Sequence, residues 1–187
     1  MAIHTILLIR HGEASASWGD HADPGLSNSG KAQAENLIKE FKNHNFNEFK
    51  FITSPKLRAI ETAQPLAINY KKEVTIQNEF SEIPSDGILN KDKQNWLKDI
   101  MTMDINHLPK EVKNWLSKIM DSIHSVEEDV IIFSHFMVIN SVLASLLKET
   151  KLLYFYPDYT SCTRLMIKEN KIIEISLGDT KKTRINL

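Results

Sequence analysis

Ile6-Leu7-Leu8-Ile9 is an unbroken apolar run that leads directly into Arg10-His11-Gly12-Glu13. A strand with one wet face alternates polar and apolar residues. A short run without that alternation reads as a strand covered on both faces of a sheet. Val130 to Ser134 is a second run of this kind. Residues just past such strands lie at their carboxyl ends, where open α/β sheets place their ligands. A cation beside a titratable imidazole at that position points to anion chemistry, set against the plainer reading of Arg10 and His11 as strand-end polar residues.

The chain around these runs reads as strand 1 (about Ile3 to Arg10), a turn-rich loop with Asp23-Pro24-Gly25, and helix 1 (about Asn28 to Lys42). Ser27 is its N-cap, and Ala34, Leu37, Ile38 and Phe41 form its buried stripe. Strand 2 (about Phe49 to Thr53) runs into Ser54-Pro55, which predicts an N-cap followed by proline at the first position of helix 2, about Pro55 to Asn69. Strand 3 (Val74 to Ile76) precedes a loop holding Glu79, Glu82 and Asp86. Helix 3 (about Asp92 to Thr102) and helix 4, opened by Pro109 and running to His124, follow. Strand 4 is Val130 to Ser134. Helix 5 (about Met137 to Lys148) is expected to turn Val138, Val142, Leu146 and Leu147 inward. Two final strands, about Thr163 to Lys168 and Lys171 to Leu177, flank Glu169-Asn170, a two-residue hairpin spacing that makes the pair antiparallel. This order predicts a three-layer α/β/α sandwich on a mostly parallel mixed sheet of about six strands, one of them antiparallel. Residues 1–187 are expected to form one domain, with the helical segment 90–125 as a lid over its site.

The charge balance of 23 basic against 24 acidic residues, with no basic cluster, argues against a nucleic-acid partner. One cysteine, Cys162, permits no internal disulfide and suggests a reducing compartment. No basic-then-apolar leader and no membrane-length apolar run occur, so a cytoplasmic location is expected, without a membrane partner. His4, His21, His44, His107 and His124 lack metal-ligand spacing and read as surface residues. Asp20-His21-x-Asp23 reads as a solvated loop.

His11 follows strand 1, Arg58 sits in the first turn after strand 2, and His135 follows strand 4, so all three face one sheet edge. Arg58 and His135 also fall at helix N-termini, which favour anions. With Arg10, the cluster calls for a counter-anion, and guanidinium forks match phosphate oxygens. A neutral imidazole can attack phosphorus, and fixed donors stabilise the charged transition state by about 10²–10³ in rate each. The leaving alkoxide needs a proton from a carboxylic acid, for which the loop after strand 3 offers Glu82, with Glu79 and Asp86 as alternatives.

Arg10-His11-Gly12-Glu13, Leu26-Ser27-x-x-Gly30-x-x-Gln33-Ala34, Ser54-Pro55-x-x-Arg58-Ala59-x-x-Thr62-Ala63, Phe80-Ser81-Glu82 and Ser134-His135 occur in order along nearly the whole chain. Ser161-x-Thr163 and Gly178-Asp179-Thr180 are weaker late features. This ordered set resembles the histidine phosphatase superfamily, the phosphoglycerate-mutase-like proteins. The resemblance implies that His11 becomes a phosphohistidine and that Arg10, Arg58 and His135 form the phosphate pocket. Glu82 would act as proton donor and then as base, no metal or other cofactor would be needed, and the sheet would be mixed. It assigns no chemistry to Glu13.

Two departures bear on the site. Phe136 stands where the family usually has glycine, so its ring either crowds the pocket or lines an apolar leaving-group site. The loop Ala14-Ser15-Ala16-Ser17-Trp18 lacks the family's Trp-Asn pair, which leaves Ser17 ahead of Ser15 as the extra phosphate donor. Trp96 and Trp115 read as core residues or as the rim of a substrate mouth. The resulting expectation is a metal-independent phosphatase acting on a small phosphomonoester. The alternatives are a phosphoglycerate mutase, a phosphohistidine protein phosphatase and a non-catalytic scaffold on the same fold.

Overall fold

In the computed structural model, described for residues 3–17, 21–169 and 171–180, the sheet has the order β3-β2-β4-β1-β5-β6. The strands are β1 (Ile3–Arg10), β2 (Lys50–Thr53), β3 (Val74–Ile76), β4 (Val130–Ser134), β5 (Cys162–Lys168) and β6 (Lys171–Ser176). β1, β2, β3 and β4 pair in parallel, while β5 runs antiparallel to both β1 and β6. The expected hairpin forms, with Lys168 opposite Lys171 and Glu169 at a φ of 52°; Asn170 lies outside the described residues.

The apolar run of β1 divides its side chains between two cores, which is why it shows no alternation. Ile6 and Leu8 pack with Val130 and Ile132 against α3 (Lys93–Thr102), α4 (Lys110–His124) and α5 (Phe136–Leu147). Leu7 and Ile9 pack with Phe51, Ile131 and Phe133 against α1 (Asn28–Glu40) and α2 (Leu57–Tyr70). Burial of each such side chain contributes about 1.5–3 kcal/mol, which holds the three layers together.

Helix ends show where local sequence decided and where it did not. Ser27 caps α1 as expected, its Oγ accepting from Gly30 N at 3.0 Å. The start of α2 differs. The helix begins at Leu57, not Pro55, and its first N–H groups are met by a distant side chain: Leu57 N donates to the Asp23 carboxylate at 3.2 Å. Ser54, released from capping, faces the site instead. Asp23 therefore does not belong to a merely solvated loop. In α5 every residue from Phe136 to Ala144 is buried, whereas Leu147, expected inward, is 39% exposed beside a left-handed Lys148 that ends the helix. Trp115 lies in the core and Trp96 packs half-buried against it. Among the described residues, no helix is long and apolar enough to cross a membrane.

Candidate active site

The site grows out of strand register. Arg10 on β1 stands opposite Ser134 on β4, so the next residues, His11 and His135, emerge side by side. Their ring centroids are 5.2 Å apart. Thr53 on β2 stands opposite Phe133, which delivers Ser54 and then Arg58 to the same edge. His11, Arg10, Arg58 and His135 are all buried.

His11 Nδ1 lies 2.7 Å from the Gly12 carbonyl, which accepts from it, while Nε2 accepts from Arg58 Nε at 3.2 Å. Together these partners define a neutral ring protonated on Nδ1. Burial, reinforced by the Arg58 and Arg10 charges, pushes the His11 pKa well below the ordinary imidazole value. The loop carrying His11 is set by close backbone approach. A Cβ on Gly12 would lie 2.7 Å from the Gly30 carbonyl, and one on Gly30 would run into that of Glu13. Thr62 ties this loop to α2: its Oγ1 accepts from Gly12 N at 3.0 Å and donates to Arg58 O at 2.6 Å. Glu13, with no assigned chemistry, proves to be a brace. Its carboxylate accepts from Ser27 Oγ at 2.7 Å, and its N–H donates to Gln33 at 2.8 Å.

Arg10 Nη1 donates to the Pro157 carbonyl at 2.8 Å, and its guanidinium lies 4.3 Å from the Tyr159 ring centroid and 5.3 Å from that of Phe136. Phe136 thus packs on the cation, on a cavity wall. Arg58 pairs with Asp23 at 3.9 Å. His135 Nε2 lies 2.7 Å from Ser54 Oγ, which already accepts from Lys56 N at 3.2 Å. In the tautomer that carries its proton on Nδ1, His135 Nε2 accepts from this hydroxyl. Burial, then Arg58 and His11, lower the His135 pKa well below the ordinary value. Arg10 Nε and His135 Nδ1 are buried without a hydrogen-bond partner, a state that costs about 1–3 kcal/mol per group until an acceptor arrives.

Glu82 is half-buried in the loop after β3. Burial raises its pKa above the ordinary carboxylate value. The N–H groups of Ile83 and Met137 and the charges of Arg58 and Arg10 oppose the rise. A cavity of about 760 Å³ opens over these groups, lined by Arg10, His11, Arg58, Glu82, Phe136 and Tyr159 among others. Both Ser15 and Ser17 border it, as does Asp86, while His135 and Glu79 do not reach its wall. Trp18 and Asp20 lie outside the described residues. Asn90, Lys93 and Leu97 bring the segment before α4 to the cavity rim; neither Trp96 nor Trp115 does so.

Tyr159 and Asp23 were missed from sequence. Tyr159 had a usable signal: an antiparallel last pair returns the residues before β5 to the carboxyl edge, and Ile9 indeed stands opposite Cys162. Asp23 had none, because its partners lie on α2, 34 and 35 residues further along the chain.

A mixed six-stranded sheet with paired histidines and arginines at one carboxyl edge defines a histidine-phosphatase fold. The chain belongs to the histidine phosphatase superfamily (branch 1), whose family model matches residues 6–180. Among solved structures it is similar to phosphoserine phosphatase from Entamoeba histolytica in complex with 3-phosphoglyceric acid. The two are 21% identical over 96% of this chain and 98% of that one, with a TM-score of 0.75. A putative alpha-ribazole-5'-P phosphatase from Escherichia coli is 17% identical over 97% and 98% of the two chains, with a TM-score of 0.76. A mycobacterial glucosyl-3-phosphoglycerate phosphatase is 17% identical over 94% and 97%, with a TM-score of 0.68. At these identities the likeness establishes the fold. No curated protein sequence matches the chain.

Proposed function

We propose that this protein is a metal-independent phosphatase that hydrolyses a small phosphomonoester through a phosphohistidine on His11. The observation that carries this reading is the state of the His11 ring. Its proton is held on Nδ1 by Gly12, and the Nε2 lone pair faces the guanidinium of Arg58, with the Arg10 charge also acting on the ring. On binding, the phosphoryl oxygens take the guanidinium of Arg58, with Arg10 and Ser17 as further donors; His135 Nδ1, which lies off the cavity wall, moves in to complete the set, and Nε2 of His11 is freed to attack. The Nε2–P bond forms as the ester P–O bond breaks, and the leaving oxygen takes the proton of Glu82. Water then attacks phosphorus and gives a proton to the Glu82 carboxylate as the Nε2–P bond breaks and its electron pair returns to Nε2, so inorganic phosphate departs and neutral His11 is restored.

The raised pKa of Glu82 suits the acid role, because burial favours the protonated carboxyl. The similar structures, a phosphoserine phosphatase, a putative alpha-ribazole-5'-P phosphatase and a glucosyl-3-phosphoglycerate phosphatase, support a small phosphorylated metabolite as substrate. Residues 1–187 then act as one domain in which segment 90–125, bordering the cavity through Asn90, Lys93 and Leu97, serves as the lid. The test is His11→Ala assayed with p-nitrophenyl phosphate in excess EDTA, beside a panel of sugar phosphates, nucleotides and phospho-amino acids. Wild type is expected to turn over and to carry an acid-labile, base-stable phosphoryl label, and the variant to do neither. Turnover retained by His11→Ala overturns the reading.

A further inference from the structure

Glu82 sits on a segment with no regular structure after the 3-10 turn Asn78–Phe80, yet the two peptides that lead into it are gripped from separate elements. The Phe80 carbonyl accepts from Ser134 Oγ at 2.8 Å, on the last residue of β4. The Ser81 carbonyl accepts from Trp115 Nε1 at 2.9 Å, in the middle of α4. Glu82 Oε1 accepts from Ile83 N at 2.9 Å. The acid is therefore referenced on one side to the strand end that delivers His135, and on the other to a helix of the 90–125 segment. Trp115 is buried at 8% exposure and packs in the core, so its indole has little freedom to follow a wandering loop. A buried indole N–H needs an acceptor, and here that acceptor is the carbonyl one residue before the acid.

We propose that Trp115 is a positioning residue: its Nε1–H, by fixing the Ser81 carbonyl, sets the Glu82 carboxyl where it can hand a proton to the leaving oxygen. This rests on the assignment of Glu82 under Proposed function. Proton transfer demands heavy atoms within about 2.6–3.2 Å, so a loop displacement of a fraction of an ångström is felt there first. The hydrogen bonds that hold His11 come from Gly12 and Arg58, whereas the indole N–H of Trp115 goes to Ser81. The consequence is a selective defect. A poor leaving group, an alkoxide, requires the positioned acid, whereas p-nitrophenolate departs without a proton.

The test compares kcat/KM, which reports only steps through phosphoenzyme formation, for glycerol 2-phosphate and for p-nitrophenyl phosphate. Trp115→Phe is expected to lower the value about tenfold for the alkyl ester, part of the roughly 10²–10⁴ that an acid supplies, and to leave the aryl ester within about twofold. Because phenylalanine also changes shape, 3-benzothienylalanine at position 115, which keeps the bicyclic outline and removes only the N–H, is expected to show the same split. Glu82→Gln is measured alongside and is expected to exaggerate the split. Equal losses on both esters in the benzothienyl variant, or no loss on either, overturn the positioning role. An unaffected alkyl ester in Glu82→Gln overturns the assignment of the acid, and the positioning role with it.

Discussion

Thr62→Val probes the joint between the loop that carries His11 and the helix that carries Arg58, while leaving every candidate catalytic group in place. Thr62 is fully buried, and its Oγ1 is the shared atom of two hydrogen bonds, from Gly12 N at 3.0 Å and to Arg58 O at 2.6 Å. Valine matches its outline but replaces the hydroxyl with a methyl. The Arg58 carbonyl retains its helical setting, but the Gly12 N–H is left buried without a partner. One net hydrogen bond of about 1 kcal/mol and an unsatisfied donor of about 1–3 kcal/mol together predict a loss of roughly 2–4 kcal/mol. In a domain of this size each kcal/mol moves the midpoint by about 2–4 °C, so the melting temperature is expected to fall by roughly 4–16 °C. Gly12 also supplies the carbonyl that holds His11 Nδ1–H, so turnover should fall even below the melting range, whereas Thr62→Ser, which keeps the oxygen, should recover most of both. Calorimetry with kcat/KM on p-nitrophenyl phosphate at 25 °C provides the readout. A midpoint within 1 °C of wild type together with unchanged kcat/KM would refute the idea that this hydroxyl joins loop to helix.

Two further outcomes follow from the charges at the sheet edge. Tyr159→Ala removes the ring 4.3 Å from the Arg10 guanidinium and should weaken orthovanadate inhibition about fivefold, equivalent to roughly 1 kcal/mol; inhibition unchanged in titration would count against a role for that ring. The folded pKa values of His11 and His135 are depressed, so below about pH 6.5 the unfolded chain binds protons that the folded chain excludes, and stability falls as pH falls through that window. Glu82, raised instead, contributes with the opposite sign and stays intact in the comparison. The double variant His11→Asn, His135→Asn should therefore lose less melting temperature than wild type between about pH 7.5 and 5.5; an equal loss would exclude these two rings as its source.

Much of the fold was readable because its signals are local. The apolar runs of β1 and β4, the Ser27 cap and the stripe of α1 depend on residues within a few positions of one another, and strand periodicity and capping act over that range. So did the placement of His11, Arg58 and His135 at one edge, since each directly follows a strand and parallel strands share a carboxyl side. What escaped were contacts made across the chain. Ser54 and Pro55 carry a good local helix-start pattern, but the pattern yields to a better arrangement, with Asp23 capping α2 and Ser54 serving His135. Leu147 fits an inward stripe on a helix that is in fact buried all round from Phe136 to Ala144, so its stripe carried little information about the last turn.

The order of the motifs along the chain by itself determined the family, the mixed three-layer architecture and which side chains gather at the carboxyl edge. Short-range backbone preference and hydrophobic period suffice for that. Only the tertiary structure decided what each does to its neighbours. Glu13 braces the loop, and Phe136 with Tyr159 packs on Arg10. The His11 proton sits on Nδ1, and the Glu82 segment is held between β4 and α4. Those outcomes depend on distances of a few ångströms, most of them between residues far apart in the chain, and hydrogen bonding and desolvation change steeply over that scale.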